Sequence, residues 1–181
     1  GQDIKDLSQK SLRGLMGIVT QDSILFNDSV KNNICLGVEK ASDEAILKAS
    51  KVANAYEFIK DLPEQFETNI GDSGNTLSGG QKQRVSIARA FIKKPQILLL
   101  DDCLSAVDTE TEEQILNNIE LVTKNKTTII VSHRISSAKN ADTIIVLNDG
   151  IITQKGTHNK LISVEGYYKE LYQKQLRESS N

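Results

Sequence analysis

The sequence predicts an α/β fold built on a parallel sheet, from three observations. Short apolar runs alternate with longer stretches of helical character, each run is apolar or β-branched almost without interruption, and no linker breaks the alternation. Such continuous apolarity predicts strands buried on both faces, as in a parallel sheet covered by helices. In chain order, residues 15–20 form the weakest of these runs. Residues 43–59 carry a helical pattern, and the segment from about 43 to 66 is expected to stand apart from the sheet as a helical insertion. A second helix is expected over 80–92, where Val85, Ala88, Phe91 and Ile92 share one side, and it leads into a leucine-rich strand at 97–100. Residues 111–122 read as helix, then 127–132 and 143–147 as strands. Asn148-Asp149-Gly150 reads as a tight turn into an antiparallel strand over 151–154, and 164–175 as a closing helix.

Composition narrows the function classes. The chain has 181 residues, 38% of them hydrophobic, enough for one core without a disulfide scaffold. Only Pro63 and Pro95 interrupt the backbone, and there is no internal repeat. No apolar run approaches the roughly 20 residues a spanning helix needs, and the N-terminus carries no leader pattern, so a membrane role must come through a partner or another segment. The 22 basic and 24 acidic residues are interspersed and sum to −2, which argues against nucleic-acid binding. Cys35 and Cys103 lie far apart and form no C-x-x-C pair, so they read as buried thiols of a reducing compartment rather than metal ligands.

In open α/β sheets, ligands bind outside the carboxyl ends of the strands. That rule singles out the polar residues directly after three of the runs: Gln21, Asp101 with Asp102, and His133. Leu77-Ser78-Gly79-Gly80-Gln81 opens the helix at 80–92. Its glycines let backbone come close to a ligand, and a helix N-terminus offers free N–H groups and partial positive charge to a phosphate. Taken singly, each has a plainer reading: a serine cap, a strand-end turn former, a structural histidine, a surface glutamine.

Their order decides between these readings. Leu77 to Gln81, continued by Lys82-Gln83-Arg84, resembles the signature of ATP-binding cassette (ABC) proteins. Ile97-Leu98-Leu99-Leu100-Asp101 resembles a Walker B strand, Ser105-Ala106-Val107-Asp108 a D-loop, Val131-Ser132-His133 the switch-histidine segment, and Ile18-Val19-Thr20-Gln21-Asp22 a Q-loop. The stretches at 25–34 and 69–74 resemble the exporter subclass, in which they face the coupling helices of the membrane domains. The resemblance runs from about residue 1 to 175.

It implies a P-loop NTPase-like cassette core with a parallel sheet, plus a helical subdomain at about 35–90 that carries the signature, with 91–181 as the C-terminal part of the α/β core. It implies ATP and Mg²⁺ as cofactors. Asp101 would hold the metal through water, Gln21 would complete its shell and reach the attacking water, Asp102 would act as general base, and His133 would touch the γ-phosphate. Leu77, Ser78, Gly79, Gly80, Gln81, Ser105 and Asp108 would contact ATP, the signature serving the site of a second cassette docked head to tail. The implied partners are that cassette, identical or not, and transmembrane domains of the same or a partner subunit. The implied place is the cytoplasmic face of the inner membrane, the chain itself being soluble.

Two features depart from the family. No Gly-Lys pair occurs, so the phosphate-binding G-x-x-x-x-G-K-[ST] of Walker A is missing. The chain is therefore read as an N-terminally truncated part of a transporter subunit, lacking the first strands, inactive alone, binding ATP weakly or not at all, and exposing apolar surface and a sheet edge that favour self-association. The second departure is Asp102, where the family usually has glutamate. Its carboxylate is withdrawn by about 1.5 Å, one carbon–carbon bond, and general-base catalysis is sensitive to such a displacement. Two functions follow as alternatives: a hydrolysing exporter motor, or a degenerate cassette of a heterodimeric exporter that binds ATP mainly for regulation. A DNA-repair ATPase of the same family would need a long coiled-coil insertion, which this sequence lacks.

Overall fold

In the computed structural model, which describes residues 2–179, Ser8 opens helix α1 (Gln9–Leu15) by accepting from the backbone N–H of Ser11, and the chain passes directly into strand β1 (Met16–Val19). Helices α2 (Val30–Ile34), α3 (Asp43–Val52), α4 (Tyr56–Lys60) and α5 (Gly79–Ile92) come next, before strand β2 (Ile97–Asp101), helix α6 (Thr109–Thr123) and strand β3 (Thr127–Val131). The strands form a parallel sheet in the order β1-β2-β3, with Val19 opposite Leu100 and Asp101 opposite Val131. Val19, Leu98 and Leu100 join Val85, Ile87, Ala88, Ile115 and Ile119 in one core.

Two expectations are corrected here. The helix expected over 43–59 is two helices, because Asn54 takes a left-handed φ of 51°. Asparagine tolerates that region and so ends helices; its carbonyl then accepts from Arg84 and its amide donates to Gln114. The sheet is also not buried on both faces. Ile18, Ile129 and Val131 are each about half exposed, at 49, 48 and 49%. Only the face bearing Val19, Leu98 and Leu100 is covered among the described residues. An unbroken apolar run signals that both faces are apolar, not that both have a partner.

The contacts divide the chain into two units, Gly1–Val131 and Ser132–Asn181. The second contains α7 (Ile135–Ala138), β4 (Ile144–Asn148), β5 (Ile151–Gly156), α8 (His158–Ile162) and α9 (Tyr167–Ser179). The run expected at 143–147 is a strand and pairs with the antiparallel strand expected after it, β5, but the pair stands outside the parallel sheet. The turn explains this: Asp149 and Gly150 both take positive φ, 48° and 77°, the geometry of a two-residue hairpin loop that folds the chain straight back. Ile135, Ile144, Val146, Leu161 and Tyr168 make this unit's core, and His158 Nδ1 lies 2.9 Å from the Tyr168 hydroxyl. No helix of the described residues is long and apolar enough to cross a membrane.

Candidate functional site

The carboxyl ends of β1 and β2 bring Gln21 and the Asp101–Asp102 pair to one rim of the sheet. Val19 is paired with Leu100, so Gln21 and Asp101 leave neighbouring strands within two residues of that pair, and both side chains are exposed. Asp102 is half-buried and takes a left-handed φ of 42°, a region that aspartate enters more readily than most residues. Its N–H donates to the Val131 carbonyl at 2.8 Å, which ties the turn after β2 to the end of β3.

The turn from 103 to 108 is pinned from inside. Cys103, Leu104 and Val107 are buried, and burial pushes the Cys103 thiol up to about 12, so it stays protonated and unreactive. Ser105 Oγ donates to the Asp102 carbonyl at 3.1 Å. Asp108 caps α6 by accepting from Thr111 N–H at 2.9 Å. The Thr111 backbone N–H and hydroxyl hold its carboxyl below the usual carboxylate range, with a smaller pull from Arg84.

The signature segment forms the start of α5. Ser78 Oγ accepts from Gln81 N–H while the Gln81 side chain accepts from Ser78 N–H, a reciprocal capping box. Both side chains are thus engaged with the helix end, and the amides of Gly79 and Gly80 are the first-turn donors left for a ligand. Leu77 turns its side chain into the core. Gly80 is required by packing: a Cβ there would stand 2.9 Å from the Ala106 carbonyl oxygen and 3.3 Å from Val107 Cγ1. The signature helix therefore rests directly on the turn that follows Asp102.

His133 belongs to the second unit, where its side chain is exposed. Gln175 holds the backbone there, donating to the His133 carbonyl at 2.8 Å and accepting from Ile135 N–H at 2.9 Å.

The segments at 25–34 and 69–74 come together. Ser29 and Asn69 form a β-bridge, Val30 N–H donates to the Thr68 carbonyl, Ile70 N–H donates to the Asp28 carbonyl, and the Asn27 amide donates to Asp72 at 2.7 Å. Three residues absent from the candidate set hold these parts in place. Asn33, 1% exposed, accepts from Phe26 N–H and donates to the Phe26 and Ser29 carbonyls. Arg89 donates to the Ile24 and Asn33 carbonyls at 2.7 and 2.8 Å, and burial draws its pKa down. Gln83 joins the signature helix to the turn at 105–106. The signal for Gln83 is its position: it shares the buried stripe of α5 with Ile87 and Ala90, where a polar side chain requires a partner.

The sequence profile of the ABC transporter family matches residues 1–105. The chain belongs to the ABC transporter family. Multidrug export ATP-binding/permease proteins of Staphylococcus aureus strains NCTC 8325 / PS 47 and bovine RF122/ET3-1 are each 48% identical to it over 172 residues, covering 95% of this chain and 30% of the relative. A solved structure of a bacterial Atm1-family ABC exporter with ATP bound superposes with a TM-score of 0.93 at 44% identity, covering 97% of this chain and 31% of that one. The chain thus spans about 30% of the length of the relatives it matches, and its likeness is to the exporter cassettes of the ABC transporter family.

For an ABC transporter domain the donor set at the rim is suited to Mg²⁺. That ion keeps several waters and takes one or two carboxylates plus substrate phosphates rather than a closed protein cage. Asp101 and Gln21, a carboxylate and an amide, are both exposed and follow the ends of neighbouring strands, a donor set of that kind.

Proposed function

We propose that this domain binds ATP with Mg²⁺ and hydrolyses it as the motor of an ABC exporter, at the cytoplasmic face of the membrane. The observation that carries the reading is the rim itself: two successive carboxylates at the end of the central strand, a glutamine after the neighbouring strand end, and the signature helix seated against the turn that follows the carboxylates.

Bound Mg²⁺ would neutralise charge on the phosphates, and Asp101 and Gln21 are the residues placed to hold its water shell. The half-buried Asp102 carboxylate accepts a proton from water as that oxygen bonds to the γ-phosphorus. The bond to the ADP oxygen breaks with its electron pair, leaving ADP and phosphate. Gln21 orients the water, and His133 takes the γ-phosphate contact that the family resemblance implies for it. The amides of Gly79 and Gly80 would face ATP held by a second cassette, docked head to tail, with Ser105 and Asp108 in the same seam. Catalysis of this kind is mostly positioning and charge stabilisation. The joined segments at 25–34 and 69–74 offer one surface to the transmembrane domains.

Asp102 supports a second reading, a degenerate site in a heterodimeric exporter, since its carboxylate sits about 1.5 Å short of a glutamate's reach. Turnover by the transporter subunit carrying this domain, native against Asp102→Glu, separates the two. The motor reading expects the native rate to lie within a few-fold of the variant. A native rate near background that glutamate raises a hundredfold would replace it with the degenerate one.

A further inference from the structure

Gln83 is 4% exposed, on the face of α5 turned toward the turn after β2. Its Oε1 accepts from Ala106 N–H at 3.1 Å and its Nε2 donates to Ser105 Oγ at 3.4 Å. Ser105 Oγ in turn donates to the carbonyl of Asp102 at 3.1 Å. Both ends of one buried amide are thus spent on the backbone and side chain of the segment that carries the proposed base. The contact is reinforced one turn earlier, where the absence of a side chain at Gly80 lets the helix reach the Ala106 carbonyl.

The helix and the turn serve different places in the proposed mechanism. The N-terminus of α5 faces the nucleotide of the opposite cassette, whereas Asp101 and Asp102 act on the nucleotide of their own. Asp102 itself occupies a left-handed conformation at φ 42°, a state that persists only where its surroundings determine it. One constraint is its N–H bond to Val131, and the other is the Ser105–Gln83 chain.

We infer that Gln83 is a positioning residue, which sets the Asp102 carboxylate for proton transfer and ties its placement to the seating of the signature helix, so that the two sites of a cassette pair are coupled through one buried amide. This rests on the ATPase reading above. Gln83 is buried with both ends of its amide engaged by residues 105 and 106, so its effect is expected to fall on kcat and on cooperativity between sites, not on ATP affinity. Misplacing a reacting group by about 1 Å can cost up to about 100-fold in rate; loss of one of two constraints on Asp102 is expected to cost about tenfold.

The test is Gln83→Met in the transporter subunit carrying this domain, which keeps the volume and removes both hydrogen bonds. Expected are a roughly tenfold fall in kcat, a KM for ATP within about twofold of native, and a Hill coefficient falling toward 1. Ile87→Val, a core change in the same helix, lowers the melting temperature without moving kcat and so separates positioning from stability. Native turnover with Gln83→Met unchanged in kcat overturns the inference and leaves the ATPase reading standing. Equal losses in Ile87→Val and Gln83→Met at equal melting temperature also overturn it. A native subunit with no ATP turnover overturns both.

Discussion

The rim at 101–108 and the segment at 24–34 both follow strands of one sheet, yet they are held in opposite ways. At the rim Asp101 stays exposed and Asp102 half-buried, and order comes from a backbone bond, a serine and one buried amide: Asp102 N–H on Val131, Ser105 on the Asp102 carbonyl, Gln83 on residues 105 and 106. In the 24–34 segment a charged side chain does the holding, since the Arg89 guanidinium is drawn in against the Ile24 and Asn33 carbonyls and lies 5.9 Å from the Phe26 ring centroid. A carboxylate that must take up a proton or face a cation has to keep its solvation and freedom to react, so it cannot also be the structural anchor. A segment with no such chemistry proposed for it has no such restriction and can be fixed by a half-buried cation with its donors spent on carbonyls.

The comparison makes Arg89→Ala the most damaging single change to stability. It strands the Ile24 and Asn33 carbonyls and takes one of two donors from the Asn33 side-chain oxygen, at an expected cost of about 2–4 kcal/mol, measured by denaturant unfolding. A loss below about 1 kcal/mol would mean that Asn33 alone secures the segment. Next comes Gly80→Ala. Its methyl group meets a backbone carbonyl at 2.9 Å, which cannot swing away as a flexible side chain would. About 1–3 kcal/mol of overpacking is expected, together with a fall in ATP turnover from the displaced turn; unchanged unfolding would show that the helix need not sit this close.

The smallest stability effect is expected at Asp108. Hydrogen bonds from Thr111 lower its pKa in the folded state, so its contribution is fully present above the unfolded value near 3.9 and is lost as pH falls through the lower folded value. Between pH 5 and 8 Asp108→Ala is therefore expected to give a constant small drop in melting temperature. The gap to the native protein should narrow only in acid, below about pH 4. A gap that changes between pH 6 and 8 would point to a different partner.

Much of the sheet is legible in the sequence, because β2 and β3 are short, apolar and bounded by helix caps. The polar residues at their ends are legible for the same reason. What the sequence hides is who covers what. The hairpin after 143–147 is legible in Asn148-Asp149-Gly150, but that run looks like the one at 97–100, and which of the two joins the parallel sheet is set by partners remote in sequence. Asn54 looks like an ordinary residue in a long helical stretch until tertiary bonds to Arg84 and Gln114 make its left-handed turn the better choice. Gln83, Asn33 and Arg89 escape because their role lies in long-range hydrogen bonds. No local pattern encodes these, although a polar residue on the buried stripe of α5 is a hint. Within the candidate set, Ser78 and Gln81 are legible as a cap as much as a ligand site, and the structure builds the cap.

Asp102→Asn in the transporter subunit carrying this domain tests most directly whether the exposed rim does chemistry while the buried contacts only hold it. Asparagine keeps the shape and the left-handed backbone but cannot take a proton from water. Steady-state Mg²⁺-ATP turnover is expected to fall by about 100-fold or more, in the range general-base catalysis supplies, with the melting temperature unmoved. Turnover within twofold of native would contradict the assignment of Asp102 as the base, and with it the division of labour between rim and scaffold.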